Sequence, residues 1–268
     1  TMFERGKRER ARDPDEIAKN IDLLAGSLRQ REFARSRLLA AGAYAAPDLL
    51  DAFLNRPEVL NAVRQILIEM GQQIVLPLVE ALDGLPPEDQ TQVVGLLGDM
   101  RDASAITPFL YNLAQNTDTP DVRRACRSAI ERLTGRFDPG ADVPGMFVAL
   151  ADRYYDEPIS LTSFPGEDVQ LLWSFDPEVG VLHPMAVATP VYHEAVAMDL
   201  SRRALELDTD RDAALALWLA ANFSREIDTP SGYENRAYTK PRDAEYYAVI
   251  AGPVVNQRVL ARGLNTYQ

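Results

Sequence analysis

The stretch "IVLPLVEAL", residues 74–82, carries Pro77 inside an apolar run of helical period. Two other stretches match it, "AAPDLLDAF" with Pro47 and "ITPFLYNLA" with Pro108, so the placement returns about every 30 residues. A second proline series follows the first: Pro57, Pro87 and Pro120, spaced 30 and 33 residues apart. Proline is tolerated in the first turn of a helix, where its missing N–H has no intrahelical partner. The two series therefore read as the starts of alternating first and second helices. Pro77 is expected in an early turn, with a kink one turn further in as the alternative. Thr119 is a candidate N-cap for the helix opened by Pro120, and Asp121 suits its positive end. Gly42 and Gly71 end the helices before them.

The apolar spacing agrees with this reading. After Pro57, the residues Val59, Ala62, Val63, Ile66, Leu67 and Met70 share one broad helical face. After Pro120, Val122, Ala125, Cys126, Ala129, Ile130 and Leu133 do the same. One helix pair cannot bury both of its apolar faces, so pairs have to stack. Residues 14–42 read as a degenerate first pair that caps the stack.

These units resemble HEAT-repeat proteins in their short bacterial form. The resemblance rests on the first helices "APDLLDAF", "LPLVEAL" and "TPFLYNLA" and on the second helices "PEVLNAVRQILIEMG" and "PDVRRACRSAIERLTG". It covers residues 14–135 and implies an all-α fold, a right-handed α-α superhelix, in which second helices line a concave binding face. On that face it implies Asn61, Arg64, Gln65, Arg123, Arg124 and Arg127 as partner-binding positions. Arginine there would pair with a partner's carboxylates. The competing reading makes these residues a solvated face with ion pairs inside and between repeats.

"TGRFDPGADVPG", residues 134–145, breaks the repeat with glycine and proline. The domain reading is a basic arm over 1–13, HEAT-like repeats over 14–135 and a helical extension over 136–268. A helix is expected over 146–155. Val169 to Phe175 is β-prone, "DPEVG" is a turn, and Val179 to Leu182 returns, which predicts a hairpin over 169–190. Residues 192–228 read as two helices joined at "LDTD" and resemble a tetratricopeptide-type pair, with Thr209 where that family's joint has proline. The stretch 225–243 reads as a long surface loop, and one last helix is expected over 244–264. Short HEAT units followed by a tryptophan-bearing hairpin and "LWLAANFSRE" resemble large repeat proteins of bacteria such as planctomycetes. That resemblance implies a piece of a longer polypeptide.

Composition narrows the function classes. The net charge is −12, concentrated in residues 41–100 and 141–268, and acidic segments repel phosphate backbones, so no nucleic acid is expected as a partner. "ERGKRERARD" at the start is the basic exception and reads as a solvated arm. No apolar run reaches the roughly 20 residues of a membrane span. One cysteine, Cys126, excludes an internal disulfide, and two histidines leave little for zinc. No cleavable leader is visible, but the chain opens on Thr1, and both cytoplasmic and periplasmic locations stay open.

Chemical motifs fail one by one. "HEAVA" at 193–197 begins like a zinc-protease helix, but Ala197 stands where the second histidine belongs. "DTDRDA" begins like a calcium loop, but Ala213 and Leu219 occupy the glycine and glutamate positions, so Asp208 or Asp210 is expected to cap the next helix. Cys126 lies on an apolar face and reads as core. "NFS" at 222–224 matches a glycosylation acceptor inside a predicted helix. Glu157, Glu167 and Asp168 are the carboxylates best placed for acid–base work. Trp173, Tyr154, Tyr155 and Tyr192 read as core aromatics. The reading is therefore a non-catalytic protein-interaction or scaffolding module, with another protein as partner and with no metal and no cofactor. The alternative is an enzyme or small-molecule binder, bilin-lyase-like or carboxylate-based, with its site at the junction of the two halves.

Overall fold

The structure, a computed structural model, describes residues 9–233 and 241–266. It is an all-α fold with one small antiparallel two-stranded sheet. The elements are α1 (Pro14–Leu23), α2 (Leu28–Ala41), a 3-10 turn (Gly42–Ala45), α3 (Ala46–Asn55), α4 (Leu60–Met70), α5 (Gln72–Leu82), α6 (Pro87–Leu97), α7 (Ala103–Asn116) and α8 (Pro120–Thr134). There follow α9 (Val143–Tyr155), β1 (Val169–Asp176), β2 (Val181–Ala188), α10 (Tyr192–Leu207), α11 (Asp212–Asp228), α12 (Pro241–Ile250) and α13 (Gly252–Thr266). The chain divides into two compact units, Thr1–Asp138 with Trp173–Met185, and Pro139–Leu172 with Ala186–Gln268. The basic segment expected over 1–13 falls largely outside the described residues.

In the first unit the main helix contacts join each helix to the next or to the next but one: α1 to α2 and α3, α2 to α4, α3 to α4 and α5, α4 to α5, α5 to α6 and α7, and α8 to α6 and α7. The expected faces are the buried ones. Val59, Val63, Ile66, Leu67 and Met70 are buried on one side, and Val122, Cys126, Ala129 and Ile130 on the other, with Ala62, Ala125 and Leu133 half-buried. Each fully buried aliphatic side chain contributes about 1.5–3 kcal/mol.

The prolines need correction. Pro87 and Pro120 do open α6 and α8, and Pro47 lies in the first turn of α3. Pro57 instead sits in the turn before α4, which starts at Leu60. Pro77 and Pro108 lie inside α5 and α7 and are buried. Their helices start further upstream because Gly71, at φ 59°, breaks α4 from α5 immediately, and Asp102 caps α7 by accepting the Ala105 N–H at 3.2 Å. Each interior proline leaves one carbonyl a turn earlier without its helical donor. Thr119 is the N-cap residue of α8 by backbone position, but its side chain makes no capping bond.

Surface charges link the second-helix series. Arg35 pairs with Glu69, Arg64 pairs with Asp99, and Arg132 approaches Asp99 at 3.4 Å, so three pairs recur at nearly the same sequence separation. All are about one-third exposed or more, and each contributes at most about 1 kcal/mol.

In the second unit α11 packs against α9, α10, α12 and α13. Ala216 and Leu219 of α11 bury against Ala244 and Val255. The predicted 146–155 helix starts three residues earlier, because Asp142 accepts the Gly145 N–H at 3.1 Å and Pro144 takes an early position. Asp142 also receives both ends of the Arg211 guanidinium, at 3.0 and 2.6 Å. Backbone N–H groups and Arg211 together hold its carboxyl below the usual range against a burial effect that raises it. Asp142→Ala is expected to lower stability by about 1 kcal/mol, chiefly through the lost cap, read as a drop in the urea midpoint. An unchanged midpoint would remove the cap from the account.

The single C-terminal helix expected over 244–264 is two helices, because Gly252 at φ 80° breaks it just ahead of Pro253. The helix pair expected over 192–228 is present and ends at Asp228, so the loop begins only after it, and 234–240 lies outside the described residues. The hairpin forms as expected, but Val179 belongs to its turn. Asp176 accepts the N–H groups of Glu178 and Val179, and Gly180 at φ 72° completes that turn. The tip sits in the first unit, where Phe175 lies so close to Gly84 that a Cβ there would come within 2.3 Å of the ring.

Candidate functional site

The six residues that the HEAT resemblance implies as a partner face lie on α4 and α8. Asn61 and Gln65 are exposed, and Arg64 is half-buried and paired with Asp99. Arg123 donates to the carbonyls of Ala114 and Thr117, where it satisfies the C-terminal end of α7. Arg124 pairs with Asp121 at 3.1 Å. Arg127 pairs with Glu131 at 3.0 Å and lies 5.6 Å from the Phe137 ring centre. The four arginines thus have intramolecular partners, while their exposed faces remain accessible.

A second candidate arises wholly within the second unit. Glu157 follows α9, Glu194 lies in the first turn of α10, and Asp228 is the last residue of α11. One carboxylate oxygen from each lies within 4.8 Å of the others. Glu157 is exposed, Asp228 half-buried and Glu194 buried, at 1% exposure. No hydrogen bond reaches either Glu194 oxygen. Burial pushes the Glu194 carboxyl up to about 8; its own backbone N–H opposes this, and the adjacent Glu157 carboxyl and the Glu157 and Asp228 charges add to it. Asp228 sits at the negative end of its helix, where a carboxylate is disfavoured. Glu157 has φ 50°, the one non-glycine residue with positive φ among the described residues.

The surroundings are ordered. Thr162 Oγ1 meets His193 Nε2 at 2.9 Å, and the buried Tyr155 hydroxyl meets Ser224 Oγ at 3.0 Å. Burial pushes the His193 imidazole down to about 4, partly offset by the Tyr154 carbonyl, so it is neutral at pH 7. Arg225, 3% exposed, donates to Asn222 Oδ1 at 2.7 Å.

Of the three carboxylates singled out from sequence, only Glu157 belongs to this group. Glu167 and Asp168 bind the start of the segment after β2 through their carbonyls, which accept from Thr189. Glu194 lies in "HEAVA", which is read only for zinc, and Asp228 closes the helix pair expected over 192–228, where nothing marks it as a ligand. The first turn of α10 does look like that motif, yet what the structure assembles is acidic. Asp208 and Asp210 do not cap α11: Asp208 Oδ2 is taken by Arg211 at 3.1 Å, and the residue at the cap is Arg211. Asn222, of the "NFS" match, is buried in α11. Cys126 is buried and its thiol is pushed up to about 12 by burial, which leaves it inert at neutral pH. Tyr154, Tyr155 and Tyr192 are core residues.

In the first unit a cleft of about 610 Å³ lies between the turns at Gly71 and at Met100–Asp102. Ile68, Val75 and Met100 give it apolar walls, with Glu69, Arg101 and Asp102 at its edge. No helix among the described residues is long and apolar enough to cross a membrane. Set against protein families, curated proteins and solved structures, the chain matches none of them.

Proposed function

We propose that this chain is a non-catalytic protein–protein interaction or scaffolding module, in which residues 14–135 form a HEAT-like, right-handed α-α superhelix. The reading is carried by one observation: the main helix contacts in the first unit run to the next helix and the next but one. Such short-range packing is how stacked helix pairs build a continuous core. The recurring pairs Arg35–Glu69 and Arg64–Asp99 support the same register. The partner is another protein. Asn61, Gln65, Arg124 and Arg127 are the contact residues free of packing duties to the backbone, and the mixed apolar and charged cleft at Gly71 suits a protein segment better than a small polar ligand.

The test compares capture of partners from the source cell by the full chain and by a variant carrying Asn61→Ala, Gln65→Ala, Arg124→Glu and Arg127→Glu. The wild type is expected to retain a defined protein that the variant loses, while both give the same helical circular dichroism and melting temperature. Capture of the same set by both, or of nothing reproducible by the wild type, overturns the reading.

A further inference from the structure

We propose that Glu157, Glu194 and Asp228 form a binding site for one hard divalent cation, of the magnesium, calcium or manganese kind. Three independent elements deliver these carboxylates to one place, the turn after α9, the start of α10 and the end of α11. Their nearest oxygens lie within 4.8 Å of one another. Two oxygens on a common calcium ion sit up to about 5 Å apart, twice the usual metal–oxygen distance. The spacing of the three carboxylates is therefore within the reach of one ion.

The second observation is Glu194 itself. It is 1% exposed, both of its oxygens lack a hydrogen-bond donor, and it points into the same cluster. A buried carboxylate left in this state is costly, and it is relieved either by taking up a proton or by binding a cation. Glu157 and Asp228 lie beside it, so a cation held there would meet three carboxylates at once. An all-carboxylate donor set selects hard cations over zinc or copper. The nearby His193 is engaged with Thr162 through Nε2, consistent with an oxygen-only first sphere. Glu157 is exposed, which leaves an entry side on which water completes the coordination.

The experiment uses the full chain, stripped with chelator and dialysed at pH 7.5, then titrated separately with magnesium, calcium and manganese chlorides. Heat of binding and thermal melting are both recorded for the wild type, Glu194→Gln and Asp228→Asn. At least one metal is expected to bind the wild type with a stoichiometry of one and to raise its melting temperature by about 5 °C at a hundredfold excess over Kd. Both variants are expected to bind that metal at least tenfold more weakly. Glu194→Gln removes a buried charge and keeps the shape, so it is expected to fold; Asp228→Asn, on a half-buried site, provides the check if it does not. The proposal is overturned if none of the three metals moves the wild-type melt at 10 mM, or if the folded variants lose less than tenfold in affinity. Neither result bears on partner capture by the first unit, so the two proposals fail separately.

Discussion

Glu194→Gln, in chelator at pH 9, is expected to be more stable than the wild type by about 3–5 kcal/mol. The folded-state pKa of Glu194 is raised to about 8 by burial, above the 4.5 of an exposed glutamate. A group raised in this way contributes stability that is fully present below about pH 4.5 and is lost as the pH climbs through 8. Each unit of difference corresponds to about 1.4 kcal/mol, and at 1% exposure there is little solvent to screen it. His193 acts in the opposite sense. Its folded pKa of about 4 lies below the 6.5 of an ordinary imidazole, so its contribution is present above 6.5 and is lost as the pH falls toward 4. The two gradients oppose each other between about pH 4.5 and 6.5. Between about 6.5 and 8 the Glu194 slope stands alone. Urea unfolding at half-unit pH steps measures this directly: the wild type should weaken steadily over that upper window and the glutamine variant should not. Parallel profiles would mean that the carboxylate is solvated in the folded state.

Gly98→Ala is expected to cost about 2–3 kcal/mol, while Gly95→Ala, three residues away, is expected to stabilise by about 0.5–1 kcal/mol. A Cβ on Gly98 would lie 2.8 Å from Ala129 Cβ and 2.9 Å from Ala129 Cα. These belong to α8 and cannot rotate away, so the end of α6 and the middle of α8 have to separate. The third close atom, Arg132 Nη2 at 2.3 Å, is the end of a flexible side chain and can yield. Gly95 lies inside α6 with nothing within 4 Å of its added Cβ, so alanine there gains helix propensity without a clash. Chemical denaturation of the two variants side by side gives the comparison. Equal effects of either sign would show that α6 and α8 do not meet closely at Gly98.

Helical content was legible where proline and glycine marked it. The buried faces of α4 and α8 follow from 3.6-residue spacing alone, and the hairpin follows from β-prone runs around "DPEVG". Pro77 and Pro108 misled because a proline reports that its own N–H is unpaired, and that condition can also hold deep in a helix whose start is set by Gly71 or Asp102. Gly252 passed unnoticed inside an apolar period that continues on both sides of it. The carboxylate group was out of reach for a different reason. Glu157, Glu194 and Asp228 are more than thirty residues apart in sequence, and a glutamate in a first turn normally marks an exposed, dipole-favoured position. Only the packing of α10 between α9 and α11 turns Glu194 into a buried, donorless acid.

The packing range in the first unit has a mechanical consequence. Where a helix leans mainly on the two before it and the two after it, the loss of α1 and α2 leaves the contacts of α5 through α8 intact. Pulled or proteolysed from its N-terminal side, this region should fray in steps, one pair at a time, each step releasing a length of chain set by the 30-residue period. Strain on one end would then be absorbed locally, as in a spring that opens coil by coil.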